Sequence, residues 1–378
     1  MKQKNSFSGQ IGFVFAAAGS AVGVGNLWRF PYLAAKDGGG LFLLIYLVLV
    51  LTVGFVLLTT DIAIGRKTGK SAIYAYESMQ KKWKFLGVIT FLVPVLIMTY
   101  YAVIGGWILR YIVIYLTSSG KQAVADDCFT AFISSPSSVW YGLIFMLLTA
   151  LIVYNGVEEG IERVSKFIMP VLLIMVIGIA IFSLTLKTTL DDGTVRTGLQ
   201  GLKVYMKPDL TGITVGRFLQ ITLDAMSQLF FSLSVSMGIM ITYGSYVKKD
   251  VDLNKAVSQI EIMDTGVAFL AGVMIIPAVF VFSGLDGMSA GPGLMFVSLP
   301  KVFYSMGTVG RVIGILFFVL AGFAALTSCI SVLESITANC MELFHTERKK
   351  TTRVLSVIYL IATAVIALGY SIFYVEVA

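Results

Sequence analysis

The first apolar stretch of this 378-residue chain is interrupted by Gly19-Ser-Ala-Val-Gly-Val-Gly-Asn26 and then by Leu27-Trp-Arg-Phe-Pro-Tyr32. Glycine costs a helix interior about 1 kcal/mol relative to alanine, and a charged side chain at membrane depth costs about 3 kcal/mol on insertion scales. A segment that only crosses hydrocarbon has no use for either. A stretch that carries three glycines, an asparagine, an arginine and a proline therefore needs a compensating function at that depth, and the simplest one is a transport site.

The rest of the chain supplies the membrane. It is 57% hydrophobic and 13% charged, and uncharged runs of about 20 residues, the length that crosses roughly 30 Å of hydrocarbon, recur about nine times. They lie near 11–32, 41–64, 85–116, 138–153, 164–186, 218–246, 256–282, 312–343 and 354–374. The fold class this implies is an all-α polytopic membrane protein, one transmembrane domain over 1–378. Lysines and arginines cluster at Lys2 and Lys4, Lys81 to Lys84, Lys248-Lys249 and Arg348 to Lys350, which puts those ends and the N-terminus in the cytoplasm. The formal charge of +7 is then a matter of topology and anionic lipid, with no nucleic acid implied. Reading the N-terminus as a cleaved signal peptide would discard the polar residues of the first segment. Cys128 stands apart from Cys329 and Cys340, so neither a disulfide nor a metal cluster is indicated, and His345 lies in a basic loop. Gly65-Arg-Lys-Thr-Gly-Lys-Ser71 is one residue short of a phosphate loop and follows a membrane span.

A second interruption occurs in the sixth segment, at Phe230-Phe-Ser-Leu-Ser-Val-Ser-Met-Gly238. Alternating serines cannot share one face of a regular helix, and unwinding at membrane depth is tolerated only where protein or a cavity satisfies the freed backbone groups. Broken segments five spans apart are the arrangement expected of inverted repeats with a midplane binding site. The first repeat would cover spans 1–5, about 11–186, and an incomplete second repeat spans 6–9, about 218–374.

The stretch from Gly12 to Lys36-Asp-Gly-Gly-Gly40 resembles the first span of the neurotransmitter:sodium symporter family, in particular its bacterial amino-acid transporters with the LeuT-type fold. Tyr100-Tyr101, Gly160-Ile-Glu-Arg163, the sixth segment through Tyr246, and Ala324-Ala-Leu-Thr-Ser328 extend the likeness along the chain. The resemblance implies sodium-coupled symport of a neutral amino acid by alternating access, and no enzyme.

It also implies a set of site residues. Backbone N–H groups of Gly23 and Gly25 and the Tyr101 hydroxyl would receive the substrate carboxylate, with the Ala21 carbonyl near the ammonium group. Ile97, Phe231, Ser232, Ser234, Met237, Cys329 and Val332 would line a mostly apolar pocket suited to a hydrophobic side chain. One sodium site would use Ala21, Asn26, Ser232 and Asp264. A second would use the carbonyls of Gly19, Val22 and Ala324 with the hydroxyls of Thr327 and Ser328, although such hydroxyls also commonly bond back to the preceding helical turn. Where relatives pair an asparagine with chloride or a fixed glutamate, this chain has Asp264 and, one turn on, Ala268, so no chloride requirement is expected. Arg29 and Gln228 would form an outer gate above Phe231. Lys4, Phe7, Tyr246 and Glu342 would form an inner one, and Asp61 would support the broken part of span six.

The family's full set of spans extends past the ninth, so the chain resembles a version stopping after that span. A binding-only protein of the family, or a proton-coupled permease of the same fold, are the alternative readings. Oligomeric state is not specified by any of these residues.

Overall fold

The computed structural model describes residues 6–118 and 120–373. Seven helices are long and apolar enough to cross a membrane, and the pair Gln10–Ala21 and Val24–Lys36, bent by 53° at its break, makes an eighth. The sixth expected segment is the ninth element: Val215–Ser232 and Ile239–Ser245, separated by a non-helical turn. It falls outside the simple length-and-hydropathy test because it is interrupted and its outer half carries Arg217 and Asp224.

The breaks have local causes. At the first, Val22 takes extended angles (φ −71°, ψ 94°) and Gly23 continues them (φ −118°, ψ −174°), so the helix stops for two residues and restarts. In span six Ser234 and Ser236 sit at φ 52° and 61°, left-handed backbone that few non-glycine residues adopt, followed by Gly238 at 73°. Such geometry persists only where surrounding contacts hold it.

Burial divides the helices into an inner and an outer set. The most apolar windows of Leu253–Ser283 and Thr308–Phe344 are 67% and 72% buried, against 33–39% for the other unbroken spans. Span one is buried on both sides of its break. Spans two to five and nine wrap this centre and turn leucines, isoleucines and valines outward, as lipid-facing helices do. Span two meets span six backbone to backbone: a Cβ on Gly65 would lie 1.9 Å from the Ile241 carbonyl oxygen, and one on Gly244 would lie 2.3 Å from that of Ile62. Only glycines let these two backbones touch.

The longest connections, between spans five and six and between spans seven and eight, lie at one end of the bundle. There a hairpin, Lys187–Thr189 paired with Val195–Thr197, leads into the helix Gly198–Met206. Between spans seven and eight the segment Leu294–Ser305 folds back as a helix, burying Met295, Phe296, Val302 and Phe303 and accepting the Tyr111 hydroxyl on the Phe296 carbonyl at 2.7 Å.

Candidate functional site

The two breaks face each other, and their side chains close one polar cluster. The Asn26 Nδ2 group donates to Ser232 Oγ (3.1 Å) and Asp264 Oδ1 (2.8 Å), and Ser232 Oγ lies 2.9 Å from both Asp264 oxygens. All three side chains are essentially inaccessible. Among the described residues no lysine or arginine pairs with Asp264. A buried carboxylate that meets only an amide and a hydroxyl is electrostatically incomplete, and a hard cation taking oxygen ligands completes it. The donor set fits sodium.

The expected second set also converges. Thr327 and Ser328 of span eight press against the break of span one: a Cβ on Gly19 would meet Thr327 Cβ at 3.2 Å, and one on Gly23 would meet Ser328 Oγ at 3.0 Å. Ser328 Oγ donates to the Ser20 carbonyl at 3.2 Å. Thr327 Oγ1 bonds back to Phe323 O (3.0 Å) and Ala324 O (3.2 Å), the arrangement usual for a membrane hydroxyl. Val22 and Ala324 are fully buried beside them.

A cavity of about 30 Å³, room for a water or two, lies next to the three-residue cluster. Ala21, Gly23, Asn26, Ile97, Tyr101, Phe231, Ser234, Met237, Ser328 and Val332 line it together with Ser20, Ile239 and Ser331. No ionisable acid or base apart from the Tyr101 phenol is among them. Most of the lining is apolar or aromatic, and four serine hydroxyls add polar atoms to it. Two of the expected residues are not in this lining. Cys329 turns its Sγ to Met98 Sδ at 3.9 Å and stays out of the cavity, while Gly25 lies under the Phe231 ring, where a Cβ would come within 2.7 Å. The Gly23 N–H, expected to face a carboxylate, is taken by Asn26 Oδ1 at 3.1 Å. Ser232 belongs to the Asp264 cluster rather than to the lining.

On the outer side Arg29 reaches Ser227 Oγ (2.7 Å) and Gln228 Oε1 (3.5 Å), one turn above Phe231. On the inner side Tyr246 donates to Glu334 Oε1 at 2.6 Å, and Arg348 grips the same carboxylate with two bonds of 2.6 and 2.7 Å. Phe7 packs edge-on against Tyr243 and Tyr246, its N–H on the Tyr246 carbonyl. Asp61 accepts the Ser236 N–H at 2.9 Å, holding the left-handed turn of span six.

A family model described as the sodium:neurotransmitter symporter family matches residues 4–138 and 129–375. The chain belongs to the sodium:neurotransmitter symporter family. It is 38% identical over 352 residues to an uncharacterized sodium-dependent transporter of Bacillus subtilis, covering 91% of this chain and 74% of that protein. It is 32% identical over 399 residues to another from Methanocaldococcus jannaschii, covering 99% of this chain and 77% of the relative. A crystal structure of MhsT in complex with L-phenylalanine superposes with a TM-score of 0.83 at 37% identity, over 99% of this chain and 83% of that one. The fold is therefore the LeuT-type inverted-repeat fold. The protein is a sodium-coupled transporter that crosses the membrane several times, and its relatives are transporters rather than enzymes.

Within this symporter fold the acidic residue expected at the inner gate is corrected. Glu342 accepts the Ser71 N–H and hydroxyl just past the end of span two, while Glu334 meets Tyr246. Lys4 lies outside the described residues. Sequence reasoning missed Ser20, Ser331, Ile239, Glu334 and Arg348. For Ser331 the signal was its spacing of three from Ser328 on one helical face, and for Glu334 it was a carboxylate inside an apolar span, which requires a partner.

Proposed function

We propose that this symporter couples inward sodium movement to uptake of a neutral amino acid across the plasma membrane, with its N-terminus in the cytoplasm. The observation that carries the reading is Asp264, buried with Asn26 and Ser232 between two broken spans and adjoining a cavity free of charged side chains. An amino acid zwitterion needs no side-chain counter-charge there. Its carboxylate, placed beside Tyr101, becomes one more oxygen on the cation held by Ala21, Asn26, Ser232 and Asp264, so each solute raises the other's affinity. A second sodium would sit among Gly19, Val22, Ala324, Thr327 and Ser328, tying span one to span eight.

Alternating access follows from two clasps. Closing Arg29 on Ser227 and Gln228 brings Phe231 and Tyr101 over the cavity, while release of Phe7 and Tyr246 from Glu334 would free the inner half of span one. Asp264 supplies the fixed negative charge, and the neighbouring position, Ala268, has no hydroxyl to hold an anion, so chloride is not required. The whole chain acts as one transport domain, with 11–186 and 218–374 as its two repeats.

The test is uptake of labelled neutral amino acids into proteoliposomes under a sodium gradient, with potassium and proton gradients as controls. Uptake that needs sodium, ignores chloride and disappears in Asp264→Ala supports the reading. Uptake driven equally by a proton gradient, or sodium-dependent binding with no uptake, would overturn it.

A further inference from the structure

The hydroxyls at the inner end of the cavity have all their protons committed. Ser20 Oγ donates to Ser331 Oγ at 2.7 Å, with Ser234 Oγ a longer second acceptor at 3.4 Å, and Ser331 Oγ donates to the Ser328 carbonyl at 2.8 Å. Ser328 Oγ and Ser234 Oγ both donate to the Ser20 carbonyl at 3.2 Å. Each hydroxyl has one proton and two lone pairs, so what remains toward the cavity is accepting capacity only. Ser20, Ser234 and Ser331, from spans one, six and eight and none more than 6% exposed, thus form a wall that can receive hydrogen bonds and cannot give them, with the Ser328 hydroxyl left to the second sodium.

We propose that this serine wall makes the transporter selective for small neutral amino acids whose side chain donates a hydrogen bond, the hydroxy amino acids serine and threonine, over aliphatic ones of equal size. The inference rests on the reading of the cavity as the amino-acid site. An aliphatic side chain there covers the spare lone pairs of the serine oxygens and gives nothing back, whereas a substrate hydroxyl can donate to one of them. The cavity, about 30 Å³, has to widen to take any amino acid, and Phe231 and Tyr101 already stand over it, so a small side chain asks for the least widening. On this reading the substrate is a hydroxy amino acid, where the sequence alone suggested a hydrophobic one. Ser331 controls the polarity of the wall. Without its oxygen, the Ser20 hydroxyl keeps only the longer contact to Ser234 Oγ at 3.4 Å and is freer to turn its proton into the cavity.

Threonine and valine have nearly the same shape and differ in the hydroxyl, so their competition against a labelled neutral amino acid in sodium isolates the effect. On the purified full chain we expect threonine to bind on the order of tenfold tighter than valine, and serine tighter than alanine by a similar factor. Ser331→Ala should shrink the threonine-to-valine ratio to about threefold or less, by the same hydrogen-bond arithmetic. Valine binding as tightly as threonine to the unaltered protein would overturn the inference while leaving amino-acid transport intact. Failure of every neutral amino acid to bind in sodium would remove the underlying reading as well. If Ser331→Ala does not fold, the threonine and valine comparison on the unaltered chain decides alone.

Discussion

Replacing Asp264 with asparagine keeps the shape of the side chain and removes its charge. The carboxylate is fully buried, bonded at 2.8 Å to Asn26 and 2.9 Å to Ser232, with no basic partner among the described residues. Two opposite consequences follow. In sodium-free buffer the variant no longer buries an unpaired charge, so its melting temperature should equal or exceed that of the unaltered protein. In sodium the variant loses the partner of a buried ion, a loss of about 3 to 5 kcal/mol, which lowers apparent sodium affinity by roughly two to four orders of magnitude. Sodium at 100 times its dissociation constant stabilises a protein by about 2.7 kcal/mol, so the unaltered chain should gain melting temperature on titration with sodium chloride at constant ionic strength. Asp264→Asn should gain less over the same range, keeping only what the second sodium site contributes. Substituting gluconate for chloride should change neither curve, since the carboxylate itself supplies the charge. A variant that melts higher in sodium with an unchanged midpoint would refute the assignment of Asp264 as the charged ligand, whatever its transport activity.

Other expectations rest on single contacts. Glu334→Gln leaves Arg348, 10% exposed and held by two bonds, without its counter-charge, and should destabilise the protein by about 3 kcal/mol in urea or thermal unfolding. Glu342→Gln keeps an acceptor for the Ser71 hydroxyl and should cost under about 1 kcal/mol, an inversion of what the sequence alone implies for the two acids. Asp61→Ala removes the acceptor of the Ser236 N–H and should cost about 1 to 3 kcal/mol, with uptake falling more than stability; uptake at the unaltered rate would show that the left-handed turn holds without it. Gly65→Ala forces spans two and six apart and should lower stability by about 1 to 3 kcal/mol, read as a drop in melting temperature.

The breaks were legible because they violate a local rule. Glycines at 19, 23 and 25 and serines at 232, 234 and 236 are poor choices for a spanning helix, and the backbone angles at Val22, Ser234 and Ser236 show the cost being met where those residues stand. The Asn26, Ser232 and Asp264 cluster was legible by chemistry as well as by resemblance, since an aspartate in hydrocarbon demands oxygen and cation partners. The serine wall was not. A hydroxyl on a membrane helix usually satisfies itself on its own preceding turn, as Thr327 does, so the sequence alone cannot separate Ser331, which also accepts Ser20 across the bundle, from one that faces only its own helix.

Glu334 and Glu342 show why the inner gate was misplaced. They stand eight residues apart on one helix, which is roughly 12 Å along the axis and under a quarter-turn around it, so both present carboxylates toward nearly the same side. Composition and periodicity give the face of a helix and nothing about how far one helix is slid along another. Here that axial offset places Glu334 level with Tyr246 and with Arg348, which returns from the start of the next span, and leaves Glu342 level with the backbone of Ser71. Arg348 carries the decision. A Glu334 without it would be a buried carboxylate facing a phenol, whereas with it the tyrosine, carboxylate and guanidinium satisfy one another below the cavity. Moving the acid instead, by pairing Glu334→Gln with Ala338→Glu one turn lower, should not restore the stability lost at Glu334, because the guanidinium is fixed by the turn Phe344 to Arg348 and cannot follow a shift of about 6 Å. Recovery of the melting temperature in that double variant would mean that the gate is set by net charge and not by axial position.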